Sequence, residues 1–227
     1  MIQNNIIFES KNLHWFDFSY SGDFDNIIEL FGILQKGVSD SSKSFDQQID
    51  DTVKSMGEDE RNEYFEFVDD RQKELSTEYP FLMRRALLMI TYSKITFWMH
   101  QLCEDACLDK KCDTPFPKNE DLKSSKSYIR NVLCITDTAL DPYWDYLNAI
   151  RLIRNKFIHY DGHLSADKDN IIEQFIASHK DLGVEVNELG FLTLGSGTVE
   201  SIAKYCQQFI AELLCRIQAL DIKQGVF

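Results

Sequence analysis

The chain has no apolar run of the roughly 18 to 20 residues that a membrane-spanning helix needs. Its opening residues, Met1 to Ser10, lack the basic-then-apolar order of a secretory signal, so a cytoplasmic location and no membrane contact are expected. Positive charge is also scarce. Against 37 Asp and Glu there are 24 Lys and Arg, a formal net charge of −13. Such a surface repels phosphate over most of its area, which excludes a protein that coats DNA or RNA non-specifically but leaves room for a local basic site. Arg151, Arg154 and Lys156 form one basic cluster and Arg84 with Arg85 another, while acidic residues crowd between Asp46 and Glu78. The six cysteines include no C-x-x-C pair. His100, Cys103 and Cys107 share one helical face, but without the paired spacing of a zinc site they read as small apolar groups on a core helix, and as thiols rather than disulfides. Gly195-Ser-Gly197 has no lysine and reads as a connection, not a phosphate loop. There is no internal repeat and no convincing linker, and no cofactor is expected.

What is present is enough apolar content, 44% of 227 residues, for one sizeable core. Residues 1 to 22 show no clear period; Trp15, Phe16, Phe18 and Tyr20 pin an arm to the body, with room for a short strand. Asp23 to Lys36 has the spacing of an amphipathic helix, and Ser39 to Ser44 reads as a loop. Residues 45 to 78 read as one acidic helix, or two with a break near Gly57. From Phe81 to Asp109 apolar residues cover most of a helix circumference, the mark of a helix wrapped by others, about 40 Å long. Lys110 to Ser125 reads as a loop and Ser127 to Thr136 as a shorter helix. Asp141 is a natural N-cap with Pro142 at the first helical position, opening a helix that ends at Gly162. Asp167 to Asn170 is an N-cap cluster before a helix from Ile171 to His179. Gly183 to Leu194 alternates, with a turn at Asn187 to Gly190, as in a β-hairpin. Thr198 then caps a last helix to about Leu220. The expectation is a mainly α protein, a helical bundle with a long central helix and a small β-hairpin before the C-terminal helix. Residues 1–79 supply an arm and acidic helices packed on a bundle of residues 80–227, within one structural domain.

The helix ending at Gly162 carries the chemistry. Its residues Leu147, Ile150, Phe157 and Ile158 surround Arg154 at helical spacing. A guanidinium cannot shed its charge, so an arginine among hydrocarbon calls for an anion; Glu104 on the central helix is a candidate counter-charge. Asn155 and His159, four apart, share the neighbouring stripe with Arg151. A cation on an apolar face, flanked by an amide and an imidazole, suits a phosphate better than a core.

The string Arg154-Asn-Lys-Phe-Ile-His159, near a helix end and followed by Tyr160-Asp-Gly162, resembles the signature of the HEPN superfamily, whose nuclease members carry an Arg, a following polar residue and a His a few positions on. Helix order over roughly residues 80 to 220 agrees with that resemblance. It implies a metal-independent endoribonuclease in which the RNA 2′-OH attacks the adjacent phosphate, leaving a 2′,3′-cyclic phosphate and a 5′-OH. It further implies a homodimer that pools two motif helices, and a toxin or phage-defence role with a possible antitoxin or regulatory partner. Carried onto this chain, Arg154 and His159 are the catalytic pair, Asn155 orients the imidazole or binds a phosphate oxygen, and Arg151, Lys156 and Tyr160 assist RNA binding, with no metal.

These side chains also suit the reaction on their own terms. Imidazole, with an ordinary pKa of about 6.5, exchanges protons near neutrality, and a guanidinium aims several donors at the charge of a phosphorane. Five positions on a regular helix separate Arg154 from His159 by about 140°, so a two-fold pairing of motif helices is the natural way to bring both to one phosphate. Other readings stay open. Arg154 could pair with a buried carboxylate as a structural cation, and His159 could serve the helix dipole. His159 with His163 would suit a metal only if the helix ran past Gly162. The whole chain could be a HEPN-fold interaction or nucleotide-binding module, without catalysis, inside a defence or toxin–antitoxin complex.

Overall fold

The computed structural model describes residues 6–109, 114–117, 121–165 and 170–224. Its helices are Ile6–Val53 (α1), Glu58–Lys73 (α2), Tyr79–Asp109 (α3), Leu122–Asn131 (α4), Asp141–His159 (α5), Asn170–Ser178 (α6) and Thr198–Gln224 (α7). Strands Val184–Val186 (β1) and Leu192–Leu194 (β2) lie between α6 and α7 and pair antiparallel, Val184 opposite Leu194 and Val186 opposite Leu192. The molecule is thus mainly helical, with a long helix at its centre and a small hairpin before the last helix.

The centre is α3, as its encircling apolar pattern requires. Leu87, Leu88, Ile95, Met99 and Leu102 are all buried, and Thr91, also buried, satisfies its hydroxyl by donating to the Leu87 carbonyl at 2.8 Å. Phe16, Tyr20, Phe24, Ile27 and Phe31 of α1, a stripe from Val199 to Ile217 of α7, and Leu147, Ile150, Ile153 and Phe157 of α5 complete one continuous core. Between α2 and α3 the helix does not stop. Glu74–Glu78 winds as a wide π turn, closed by the Tyr79 N–H donating to the Glu74 carbonyl. Pro80 lacks an N–H and crowds the carbonyl one turn back, and a widened turn just before it removes the conflict.

Several local expectations are corrected. The arm and the Ser39–Ser44 loop are both helix, parts of α1; residues 1–5 of the arm lie outside the described residues. The buried aromatic spacing from Phe16 to Phe31 is helical, and serine costs only a few tenths of a kcal/mol in a helix, so neighbouring structure overrides a loop-like composition. The expected helix break does fall at Gly57, which precedes α2 as its N-cap. There Arg61 donates to the Val53 and Met56 carbonyls at 3.2 and 3.3 Å, and Gln72 donates to Asp46 at 3.1 Å, holding α2 antiparallel to the far half of α1. Helix α4 starts at Leu122 because Asp121, not a later residue, caps it by accepting the Ser124 N–H at 2.5 Å. It ends at Asn131, and Cys134 takes a left-handed conformation with φ 56°. Asp141 is not the cap of α5. Asp137 accepts from Ala139 and caps a short 3-10 turn that runs into the helix, while Asp141 pairs with Arg130. Thr198 does not cap α7 either; its buried hydroxyl donates to the Leu182 and Gly183 carbonyls at 2.8 and 3.2 Å, fastening the hairpin to the helix. Of the Asp167–Asn170 cluster, residues 167–169 fall outside the described residues.

Candidate active site

Helix α5 stops where its sequence runs out of right-handed options. Asp161 and Gly162 are both left-handed, φ 50° and 86°, and the N–H groups of Tyr160 and Gly162 both donate to the Lys156 carbonyl, at 2.9 and 3.0 Å. Arg85 reaches across from α3 and donates to the Phe157 carbonyl and to the Asp161 carboxylate, with its guanidinium 5.4 Å from the Phe157 ring centre. The negative end of the α5 dipole therefore already holds a cation.

Arg154 is half-buried. Its guanidinium lies over the ring of Tyr92, 5.5 Å from the centroid, and Nη1 donates to the Asn155 side-chain oxygen at 3.0 Å. Its Nε is fully buried with no hydrogen-bond partner. Among the described residues no carboxylate pairs with it, and Glu104, the expected counter-charge, instead faces His100 at 3.3 Å. Leaving one buried N–H without an acceptor costs about 1–3 kcal/mol. Arg84 also has an orphaned buried Nε, yet its Nη1 donates to the Leu194 carbonyl at 2.9 Å and so closes the hairpin edge. Among the described residues Arg154 makes no hydrogen bond to another element: its polar partner is the next residue on its own helix, and it meets α3 through the face of the Tyr92 ring.

Arg151 sits one turn earlier and is held by Asn148, whose side-chain oxygen accepts from Nε at 3.3 Å and from Nη2 at 2.9 Å. Both arginines act on Tyr92. Burial pushes that phenol up from its ordinary pKa, and the charges of Arg151 and then Arg154 oppose the shift. Lys156 stacks on Tyr160, 4.7 Å from the ring centroid, on another side of the helix. His159 is the exposed last residue of α5, with its ring 6.3 Å from that of Tyr160. The structure thus brings Arg154, Asn155 and Arg151 into one group and Lys156 with Tyr160 into another. No described contact joins His159 to Arg154. Ile158, expected on the buried face, is 44% exposed and stands beside Arg154 toward solvent.

Tyr92, Arg85 and Asn148 were not singled out as site residues by the motif. Tyr92 and Arg85 are seven apart on α3, two turns on one face, and that spacing is the signal that could have placed both against α5.

No family model, curated protein or solved structure matches the chain. The site must therefore be judged on its own chemistry.

Proposed function

We propose that the protein is a metal-independent endoribonuclease of HEPN type, acting as a homodimer in a toxin or phage-defence role. Arg154 carries the reading. It is a permanent cation, half-buried over an aromatic ring, unpaired at Nε, with an amide beside it and, among the described residues, no carboxylate paired with it. In the reaction the RNA 2′-oxygen bonds to the neighbouring phosphorus and the bond to the 5′-oxygen breaks. His159 exchanges the protons, taking one from the 2′-OH or giving one to the leaving oxygen, while Arg154 stabilises the charge gathered on the phosphorane. Within one protomer the two side chains lie on different sides of α5. A second motif helix across a two-fold axis supplies the missing partner to each. Because Arg85 already serves the helix end, His159 is left available for proton transfer.

RNA cleavage by the purified chain in EDTA tests this. Arg154→Ala and His159→Ala should each lower the rate by roughly 10²-fold or more, and the products should end in 2′,3′-cyclic phosphate and 5′-OH. Equal cleavage by wild type and both variants would remove the proposal. A second reading, a HEPN-fold interaction module without catalysis in a defence or toxin–antitoxin complex, is favoured by the α1–α2 hairpin, which is acidic and exposes Phe67 at 81%. An absence of cleavage together with capture of a partner by that hairpin would select it.

A further inference from the structure

Next to Arg154, a cavity of about 510 Å³ opens between α4 and α5. Three cations reach its wall: Lys123 and Lys126 from α4 and Arg151 from α5. None of the three forms an ion pair among the described residues. Lys126 has its ammonium over the Trp144 ring, 5.6 Å from the centroid, and Arg151 is gripped by the neutral Asn148. Two carboxylates, Asp121 and Asp145, also line the cavity. Asp121 is committed to capping α4, and that hydrogen bond from Ser124 holds its carboxyl below the usual range; Asp145 is exposed. In a chain of net charge −13, three cations on one concave site, none with an ion pair within 4 Å among the described residues, outnumber the two carboxylates beside them.

We propose that this cavity binds a nucleoside monophosphate unit, with Lys123, Lys126 and Arg151 on its phosphate. The volume falls in the range of small-molecule sites. Guanidinium and ammonium groups are the usual phosphate donors, and the Arg151 Nη1 group has no described partner. Arg151 and Arg154 are three apart on α5, so their Cβ atoms are about 5–6 Å apart, and both charges act on Tyr92. A nucleotide held here has the neighbouring phosphate of the same strand within reach of Arg154. In that form the inference rests on the ribonuclease reading and makes the cavity the subsite for the nucleotide beside the cleaved bond. A free nucleotide uses the same contacts.

The probes are 5′-AMP, adenosine and inorganic phosphate, titrated calorimetrically onto the full chain. AMP should bind more tightly than either phosphate or adenosine. The double change Lys123→Glu with Lys126→Glu, on a helix surface, should weaken AMP by about tenfold or more, whereas Arg154→Ala should leave AMP binding within about threefold. With RNA as substrate, the double variant should raise KM about tenfold while kcat stays within about twofold. AMP binding that depends on the lysines without any RNA cleavage keeps the site for a free nucleotide and removes the ribonuclease reading. RNA cleavage with KM unmoved by the lysine changes, or AMP binding that ignores them, overturns the site. No binding of AMP by the folded wild type overturns it as well.

Discussion

Arg85 shows what a single side chain does at the end of α5. It donates to a main-chain carbonyl that the helix leaves unpaired and to the Asp161 carboxylate, while resting against Phe157. Charge-assisted bonds to helix-end carbonyls contribute more than surface ion pairs. Arg85→Ala should therefore lower unfolding free energy by about 1–3 kcal/mol, and Asp161→Asn, which tolerates the same left-handed turn, by less than about 1 kcal/mol; urea titration measures both. The thiols give a second residue-level expectation. Burial pushes Cys103 from 9.0 up to about 12, and burial also raises Cys206 and Tyr146. A pKa raised on folding means the native state holds its proton longer than the unfolded chain does. That stability is complete below about pH 9 and is lost as pH climbs toward 12. The urea midpoint should fall over that window, and less steeply in Cys103→Ala. Alkylation of the native protein should mark exposed Cys134 and Cys215 and spare Cys103 and Cys206.

Among the elements, α1 and the end of α5 make opposite use of glycine. Gly32 and Gly37 lie inside α1 with open space where a Cβ would go. Alanine at either should stabilise the protein by about 0.5–1 kcal/mol. At Gly162, φ is +86° and a Cβ would stand 2.9 Å from the Phe157 ring. Gly162→Ala should destabilise by more than about 1 kcal/mol, and thermal melts of the three variants should separate in sign. The same contrast explains what the sequence made legible. Helices α3, α5 and α7 and the hairpin could be read because their apolar periods are long and unbroken, and Gly162 marks the turn that follows the end of α5 at His159. The serines and glycines of α1 masked a helix that neighbouring packing imposes. The N-termini were misjudged where a carboxylate or hydroxyl had two possible tasks, as at Asp141, which pairs with Arg130, and Thr198, which ties down the hairpin. For the site, the apolar surroundings of Arg154 were visible along its own helix. Tyr92 and Arg85, some sixty to seventy positions earlier in the chain, became visible only when α3 lay against α5.

At the scale of the molecule, charge and apolar surface are unevenly shared. Asp46 to Glu78 carries twelve acidic and four basic residues, so eight of the thirteen excess negative charges lie at the α1–α2 end. The cations of the proposed RNA site are therefore not diluted by acids of the same density. On the site face, Ile158 is exposed next to Arg154, where a two-fold contact between motif helices would bury it. For the proposed homodimeric ribonuclease, Ile158→Glu should leave the melting temperature nearly unchanged, give the mass of a monomer in light scattering where the wild type gives that of a dimer, and abolish RNA cleavage together with dimerisation. A monomeric variant that still cleaves at the wild-type rate would remove the shared site.

At 48 residues, α1 is a rod about 72 Å from end to end, and among the described residues its part in the central core ends at Phe31. A body with such a spar drags through solvent more than a sphere of 26.4 kDa. It should emerge early from a sizing column even as a single copy, so an apparent doubling of size there carries no weight, and the number of chains per particle must come from a measurement of mass.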